Sequence, residues 1–584
     1  KLFVLCWCLA ILMNIILAAG YLNGVLTTLE KRFQLQSKDL GIVASAADIG
    51  SMVTVLFVTY YGGKPGNSRP KILGVGLLGL ALGAFLSGLP HFVAPAYEVD
   101  PDSIPDLSSL ENKFLPSCLV VSSQFIYGIS GTPLMPLGTT FIDDHVRKES
   151  APLYIGTSYI VFGLGPPLGF VLSSFAVKFY VDMDKGIDPA TLGLTPANPL
   201  WVGAWWIGFF ICGAGLLATA FPMFFFPPGT PPDSDVVQKK DKSEKKKMLP
   251  MMDMDKGPPL LDPAKGLWKQ IKGMSKSLKE VLTNGVFLVL CLSGVCMVST
   301  FGAFSFMPKY LELQFGVPKS QANMLLGIVM LPSTVFGIVG SGIVIKKFKL
   351  TPVQCLYMSA ASVFISSLIS IPMFFLTCPQ PPMAGVTIPY GYRWNGDINL
   401  LSSCNTGCNC NLDKYSPVCG SDGVTYFSGC HAGCTEKQSF MHPMGIVAVT
   451  MNTFACLGHN LHVYDVLHLC KTGNVTKLLH ESRPIVRIHI VLFLLPYRAL
   501  TPETKSFGMG VQSVIMKLLG FIPSPIYFGA LIDTTCRLWS TNCGQQGACL
   551  LYDLDKNRYA FFGLITALRV LGGFLILFAA YLFK

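Results

Sequence analysis

A lysine within an apolar stretch is the side chain of this sequence that most directly suggests chemistry. Lys517 is flanked by the apolar residues 514–516 and 518–522. An ammonium group at the centre of a bilayer costs on the order of 2.5–3.5 kcal/mol, so it must face water, an acidic partner or a bound anion. In a low-dielectric cavity it would attract a carboxylate or sulfate strongly. We therefore predict that Lys517 lies in or beside a cavity that binds anions.

Three further polar residues within apolar stretches are candidates for the same site. Gln512 precedes Lys517 in one stretch, whereas Asp48 and Arg569 lie in two others. Asp48 is the one clear acid deep in such a stretch, so it could pair with a basic residue such as Lys517 or carry a proton. A single carboxylate is too few for a usual sodium site. For Arg569, a structural pairing with another helix is the main alternative to substrate contact.

His91 lies at the outer end of the third apolar stretch. Imidazole is the side chain whose unperturbed pKa, about 6.5, is closest to physiological pH. We therefore consider His91 a candidate sensor of external pH. The alternative is a histidine at the membrane interface without a functional role.

Cysteines are concentrated in two polar segments. The candidates for disulfides are Cys404, Cys408, Cys410, Cys419, Cys430 and Cys434 in one segment, and Cys536, Cys543 and Cys549 in the other. Disulfides persist on the oxidising side of a membrane, so both segments are predicted to be extracellular, with the pairing left open. Zinc is the alternative for the cysteines around Cys408 and Cys410. It is disfavoured because no histidine or second CxxC has the usual spacing, and we expect no bound metal.

The composition is that of a protein built into a membrane. The chain has 584 residues, of which 51% are hydrophobic and 13% are charged, roughly half the charged fraction usual in soluble proteins. Its net charge of +11 resides in short loops between apolar segments, which argues against nucleic-acid binding.

A span needs about 20 apolar residues. The expected spans are 2–25, 40–61, 71–91, 116–142, 151–181, 201–227, 284–307, 322–345, 352–377, 506–532 and 559–583, with a weak further one ending near Pro496.

Basic residues in alternate loops predict the orientation. Lysines and arginines follow the second, fourth, sixth and eighth spans, so these loops and both termini are expected to be cytoplasmic.

The most basic loop separates two groups of spans. The expected divisions are 1–227, an N-terminal six-helix bundle; 228–283, a basic cytoplasmic linker; 284–377, the first part of a C-terminal bundle; 378–484, an extracellular cysteine-rich loop with a divergent segment; and 485–584, the remainder of that bundle.

The linker allows two interpretations. Its lysine-rich composition is typical of a solvated, disordered segment. Its second half has apolar residues at helical spacing with lysines between them, which suits a helix lying on the anionic lipids of the inner leaflet.

Longer motifs connect the chain with known proteins. The run 404–434, centred on Pro417-Val-Cys-Gly-Ser-Asp-Gly-Val-Thr-Tyr426, resembles a Kazal module. The run Trp201-Val-Gly-Ala-Trp-Trp-Ile-Gly-Phe-Phe210 would suit an aromatic belt at a membrane boundary. The whole string is more specific, and it resembles the signature of the organic anion transporting polypeptides. The signature positions are Trp201, Gly203, Ala204, Trp205, Trp206 and Gly208, and further matches lie at 26–33, 141–145, 389–391 and 520–529.

This resemblance implies both a fold and a function. The fold is an all-α membrane protein, a twelve-span major-facilitator-type transporter of two six-helix bundles with a small disulfide-rich Kazal-like extracellular insertion. The function is sodium-independent uptake of large amphipathic organic anions, such as bile salts, steroid conjugates, thyroid hormones and eicosanoids, across the plasma membrane by alternating access without a cofactor. The family generally has arginine at the place of Lys517. A lysine there keeps the charge but loses the bidentate fork.

One region departs from the family pattern, and other function classes compete. Residues 439–484 contain five of the nine histidines and the glycosylation sequon at Asn474, but no clean tenth span. The competing hypothesis is a membrane-anchored Kazal-type protease inhibitor or adhesion receptor. An enzyme is disfavoured, because the sequence has no phosphate-binding glycine loop, metal motif or nucleophile–base pair.

Overall fold

A computed structural model describes most of the apolar part of the chain. The described residues are 2–33, 35–62, 68–97, 108–145, 151–189, 201–227, 278–279, 281–348, 351–375, 380, 382–390, 399–402, 405–406, 410, 418–419, 424–432, 505–542 and 545–583. Several predictions lie outside them. These concern Cys404, Cys408, Cys434, Cys543, Asn474, the weak span near Pro496 and nearly all of the linker 228–283.

The first half of the chain is helical. Its helices are α1 (Leu2–Ile15), α2 (Leu22–Phe33), α3 (Ser37–Gly62), α4 (Arg69–Gly88), α5 (Pro90–Val93), α6 (Ser108–Gly131), α7 (Leu134–His145), α8 (Ala151–Ala176) and α9 (Ile207–Met223). A π-helical turn, Ile16–Tyr21, joins α1 to α2, and a short 3-10 turn, Met183–Lys185, follows α8.

The second half adds helices and two small β-hairpins. The helices are α10 (Gly285–Ser299), α11 (Phe301–Phe315), α12 (Lys319–Phe348), α13 (Pro352–Ile369), α14 (Lys505–Met516), α15 (Pro523–Asp533) and α16 (Leu554–Phe583). A second π-helical turn, Lys517–Phe521, joins α14 to α15. The strands are β1 (Val418–Cys419), β2 (Thr425–Tyr426), β3 (Cys536–Asn542) and β4 (Gln545–Tyr552), and each consecutive pair is antiparallel.

Among the described residues, seven helical stretches are long and apolar enough to cross a membrane. They are Leu2–Phe33, Arg69–Val93, Cys118–Thr139, Gly285–Phe315, Val353–Phe374, Gly510–Asp533 and Leu554–Leu582. Helices α3 and α12, of 26 and 30 residues, are also long enough to span. The chain is therefore a multi-pass membrane protein.

Several predicted spans differ from the observed helices. The first helical stretch continues to Phe33, eight residues beyond the predicted end at 25, because its polar last turns are buried against other helices. The predicted span 116–142 is broken between Gly131 and Leu134. The predicted span 201–227 becomes helical at Ile207, because hydrogen bonds hold its first six residues against the segment after α8.

The tryptophan-rich signature begins with these six non-helical residues, 201–206. The indoles of Trp201 and Trp206 donate to the carbonyls of Val177 and Val181, at 2.9 and 3.1 Å. The chain between the two rings runs antiparallel to the segment after α8, with Gly203 paired to Tyr180. The signature therefore satisfies backbone groups at one end of the bundle, in addition to supplying aromatic surface.

Tyr21 links the signature to the first helix. Its hydroxyl donates to the carbonyl of Trp205 at 2.5 Å and accepts from the amide of Gly208 at 2.9 Å. A Cβ atom at position 208 would overlap the Tyr21 ring, so the signature glycine is required for this contact. Trp205 itself is fully buried.

The π-helical turn at 16–21 brings the first span against α8. A Cβ atom on Gly20 would lie 2.6 Å from the Cα of Gly169, and one on Gly169 would lie 2.6 Å from the amide nitrogen of Tyr21. Glycines at both positions therefore allow the two backbones to touch, as is common between membrane helices.

Disulfides stabilise the two non-helical segments of the second half. Cys410 bonds Cys430 beside the β1–β2 hairpin, and Cys536 bonds Cys549 across β3 and β4. Both pairs were candidates in the sequence, where their pairing was open. The assignment of the first segment to a Kazal-like module stays a prediction, because much of it lies outside the described residues.

The glycine contact leads to a test of helix packing. We expect Gly20→Ala to lower the thermal stability of the purified protein, because overpacking of a close helix contact costs about 1–3 kcal/mol. Gly563→Ala is the matched control, since a Cβ atom there meets nothing within 4 Å. The measurement is the unfolding temperature in detergent. Equal unfolding temperatures for the two variants would contradict the packing account.

Candidate functional site

The structure brings two of the predicted site residues together. Lys517 opens the π-helical turn between α14 and α15, and its Nζ lies 3.7 Å from Oδ1 of Asp48 on α3. The same ammonium donates a hydrogen bond to the hydroxyl of Ser51. The contact therefore joins the first half of the chain to the second, near the middle of both spans. Departures from α-helical geometry of this kind are frequent at functional sites.

The Lys517–Asp48 pair is only partly sequestered. The side chains of Lys517 and Asp48 are 22% and 33% exposed. At 3.7 Å the two charges attract each other, but the separation is longer than a charge-assisted hydrogen bond. The ammonium is thus stabilised without being fully enclosed.

Gln512 lies in α14, five residues before Lys517. It is buried, and neither its Nε2 nor its Oε1 has a hydrogen-bond partner in the described part of the chain. A buried amide without partners is unfavourable by about 1–3 kcal/mol. This makes Gln512 a position where a bound polar group would be stabilising.

Arg569 is placed differently. Its Nη1 donates to the hydroxyl of Ser370, at 3.1 Å, just after α13. The contact connects two helices of the second half, and no acidic partner for Arg569 is found among the described residues. The contact would suit a structural role for Arg569, and its substrate-binding role stays a prediction.

A buried ion pair that the sequence did not identify joins the two halves at one end of the bundle. This is the end where α2 turns into α3 and α11 turns into α12, and we call it the outer end. The ammonium of Lys309 on α11 contacts the carboxylate of Glu30 on α2, and their side chains are 5% and 7% exposed. Lys309 also donates to the Ser37 hydroxyl at 2.7 Å and lies 4.8 Å from the centre of the Tyr552 ring.

Further polar contacts across the halves surround this pair. Lys31 pairs with Glu312 at 2.9 Å, and Lys319 donates to the carbonyl of Thr27 at 3.0 Å. The amide of Asn323 donates to the carbonyl of Gly24 at 2.9 Å. These contacts lie one to two helical turns apart along α2, so they form a continuous polar seam on one side of that helix.

Asp533 completes the seam from the end of α15. Its carboxylate accepts from the backbone amides of Ser37 and Lys38, at 3.3 and 2.9 Å, at the beginning of α3. A carboxylate at a helix N-terminus is favoured by the unpaired amides and the helix dipole. The first half is thereby held to the last spans of the second half.

His91 lies in a separate polar cluster within the first half. Its Nε2 is 3.0 and 3.1 Å from the two carboxylate oxygens of Asp184, and its ring stacks on Trp206 at a centroid distance of 4.8 Å. Oδ2 of the buried Asp182 accepts from the Tyr97 amide at 2.7 Å. Burial, followed by the charge of Asp182, raises the pKa of Tyr180 to about 12. His91 and Asp182 are thus buried, while Asp184 reaches the surface.

Comparison with known proteins now identifies the family. The model of the Organic Anion Transporter Polypeptide (OATP) family matches residues 2–556. The chain belongs to this family. It is 32% identical to solute carrier organic anion transporter family member 1A4 of Rattus norvegicus, over 95% of this chain and 87% of that protein. It is 33% identical to member 1B3 of Homo sapiens, over 93% of this chain and 83% of that protein.

Solved structures confirm the fold class. A D-xylose–proton symporter superposes with a TM-score of 0.53 at 11% identity, covering 98% of this chain and 96% of that one. A bacterial homologue of the human lysosomal transporter Spinster has a TM-score of 0.53 at 12% identity, over 99% and 95%. The OATP chain therefore has a helical major-facilitator-type fold, as predicted. It belongs to a family of transporters and not of enzymes.

The buried seam leads to a second prediction. We expect Glu30→Gln to destabilise the protein by about 3–5 kcal/mol, because it leaves the Lys309 ammonium buried without its partner. The unfolding temperature in detergent measures this. Glu312→Gln is the control, since its pair with Lys31 is more exposed, at 24% and 34%, and a pair contributes less to stability the more exposed it is.

The reversed pair tests the interaction itself. Glu30→Lys combined with Lys309→Glu should recover part of the stability that each single substitution removes. If the double variant is no more stable than the worse single one, the contact between Glu30 and Lys309 does not account for the loss.

Proposed function

We propose that this OATP-family protein takes up large amphipathic organic anions, such as bile salts, steroid conjugates, thyroid hormones and eicosanoids, across the plasma membrane without sodium. The observation that carries the proposal is the Lys517 ammonium. It lies between the two halves, within an apolar stretch of its own helix, and it is partly exposed. A carboxylate, sulfate or glucuronate of a substrate would bind there, while the apolar body packs against the neighbouring helices.

Asp48 has a defined part in this proposal. In the empty transporter it neutralises Lys517 across the two halves, at 3.7 Å. A bound anion competes with Asp48 for the ammonium. The Ser51 hydroxyl can accept a hydrogen bond from Lys517 whether Asp48 or the anion is the charged partner. Substrate binding would thereby weaken one of the contacts between the halves. This links binding to a change in how the halves pack.

We further propose transport by alternating access between an N-terminal bundle, 1–227, and a C-terminal bundle formed by 284–377 and 485–584. The outer seam around Glu30 and Lys309 supports this, because it joins the two halves at the end where they would have to separate to admit substrate. The seam closes that end in the present arrangement.

The proposal also assigns the remaining segments to the two sides of the membrane, with the Glu30–Lys309 end facing outward. The segment 378–484 would be extracellular, Kazal-like and glycosylated at Asn474, and both termini would be cytoplasmic. The linker 228–283 would lie at the inner leaflet, near anionic lipids. His91 would respond to external pH, because protonation adds a charge beside Asp184 in an enclosed cluster.

Substitution of Lys517 tests the proposed site. We expect Lys517→Gln to raise the apparent KM roughly tenfold or more, or to abolish uptake, because a charge-assisted contact is lost. Lys517→Arg should retain much of the activity because it keeps the charge. Uptake is measured at equal surface expression. Two variants that both transport like the parent would exclude Lys517 from the path. A Gln variant that reaches the surface only with Asp48→Asn would make the pair structural.

Uptake into cells tests the function as a whole. Cells expressing the full-length protein should accumulate radiolabelled sulfated steroids or conjugated bile salts, and uptake should persist when choline replaces sodium. The physical reason is that Asp48 alone supplies too few oxygen ligands for a usual sodium site. Uptake that collapses in choline would contradict the sodium-independent mechanism, and no uptake of any anion would contradict the substrate class.

A further inference from the structure

The cluster around His91 contains the donor set of a metal site. Ligand atoms of His91, Asp182 and Asp184 all lie within 4.8 Å of one another. One imidazole and two carboxylates are ligands that zinc accepts, usually with water in a fourth position. Calcium and magnesium prefer six or more oxygens, so three groups including a histidine favour a transition metal.

We propose that His91, Asp182 and Asp184 form a binding site for a zinc-like divalent transition metal at the outer end of the protein. The site is independent of the anion path at Lys517. It would tie α5 to the short turn that follows α8, beneath the tryptophan-rich signature.

Burial and orientation support the site. The side chains of His91 and Asp182 are fully buried, whereas that of Asp184 is 27% exposed and gives access from solution. The imidazole is held by stacking on Trp206, with an interplanar angle of 12°. Oδ2 of Asp182 is held by the Tyr97 amide. Supporting contacts of this kind orient the ligands in metal-binding sites of proteins.

One buried carboxylate oxygen is paired with an ammonium that a metal ion could replace. Oδ1 of Asp182 is inaccessible to solvent and accepts no hydrogen bond in the described part of the chain, although the Lys185 ammonium lies 3.0 Å away. Ligands of one zinc ion are about 3.3 Å apart, given zinc–ligand distances of about 2.0–2.2 Å. The His91 and Asp184 atoms are already 3.0 Å apart, and all three ligand groups lie within 4.8 Å of one another.

Two cations compete with a metal at this place. Lys185 pairs with Asp182 and is 28% exposed, so its ammonium can move into solvent. Arg32 also approaches the cluster, but its guanidinium lies over the Tyr97 ring, at 5.6 Å from the centroid, and donates to the carbonyl of Pro95. In the metal-free protein the Lys185 ammonium thus pairs with Asp182, and a bound metal ion would replace that ammonium.

Zinc binding to the purified full-length protein, with its disulfides intact, tests the proposal. Equilibrium titration with zinc alone should give one equivalent more for the parent than for His91→Gln or Asp182→Asn. His431→Gln is the matched control, because it removes a buried histidine from a different part of the structure and should leave this equivalent in place. Zinc bound elsewhere cancels in these differences.

Two further variants keep the test decisive if His91→Gln does not fold. His91→Cys retains a zinc ligand and should keep the equivalent. Lys185→Met removes the competing ammonium and should tighten binding roughly fivefold. Equal stoichiometry in the parent and in Asp182→Asn, or unchanged affinity in Lys185→Met, would overturn the proposal.

Discussion

Burial of charge in a medium that cannot solvate it is the constraint on which the arrangement of the two halves depends. Glu30 and Lys309 are almost completely removed from solvent, and each is stable there only because the other is present. Because one residue belongs to the first half and the other to the second, the halves cannot part at the outer end while both remain ionised and dry. Opening requires water or a substituting partner to reach this pair.

Close backbone contact brings these charges into register. A Cβ atom on Gly41 would lie 2.7 Å from the Cα of Ile526, so α3 and α15 touch along the same seam. Asp533 then reaches the first amides of α3, and Ser37 reaches Lys309. The polar seam therefore lies beside tightly packed backbones, so its few polar contacts tolerate little displacement. Packed interfaces of this kind switch between discrete arrangements and do not deform continuously.

The sequence predicted those features that rest on local patterns. Apolar length identified most spans, and the motif at 201–210 identified the family. It did not reveal Glu30 and Lys309, because Glu30 follows an apolar run at the point where a span of usual length ends, and it is therefore assigned to a loop. Only the packing of α2 against α11 shows that the helix continues in a buried environment. The helical start of the sixth span was missed for a related reason, since its first residues bond to a distant segment.

The Lys517–Asp48 contact can be interpreted in the same terms as the outer seam. Both are ion pairs between the halves, but they differ in exposure, at 22% and 33% for the former and 5% and 7% for the latter. A partly exposed pair exchanges partners at lower cost than a fully buried one. If anions bind at Lys517 as proposed, they would act on this pair before the outer one. Release of Asp48 from this contact removes one restraint between the halves, and the remaining restraint lies at the outer end. The difference in burial thus separates a pair that can exchange partners from one that holds the two halves together at the outer end.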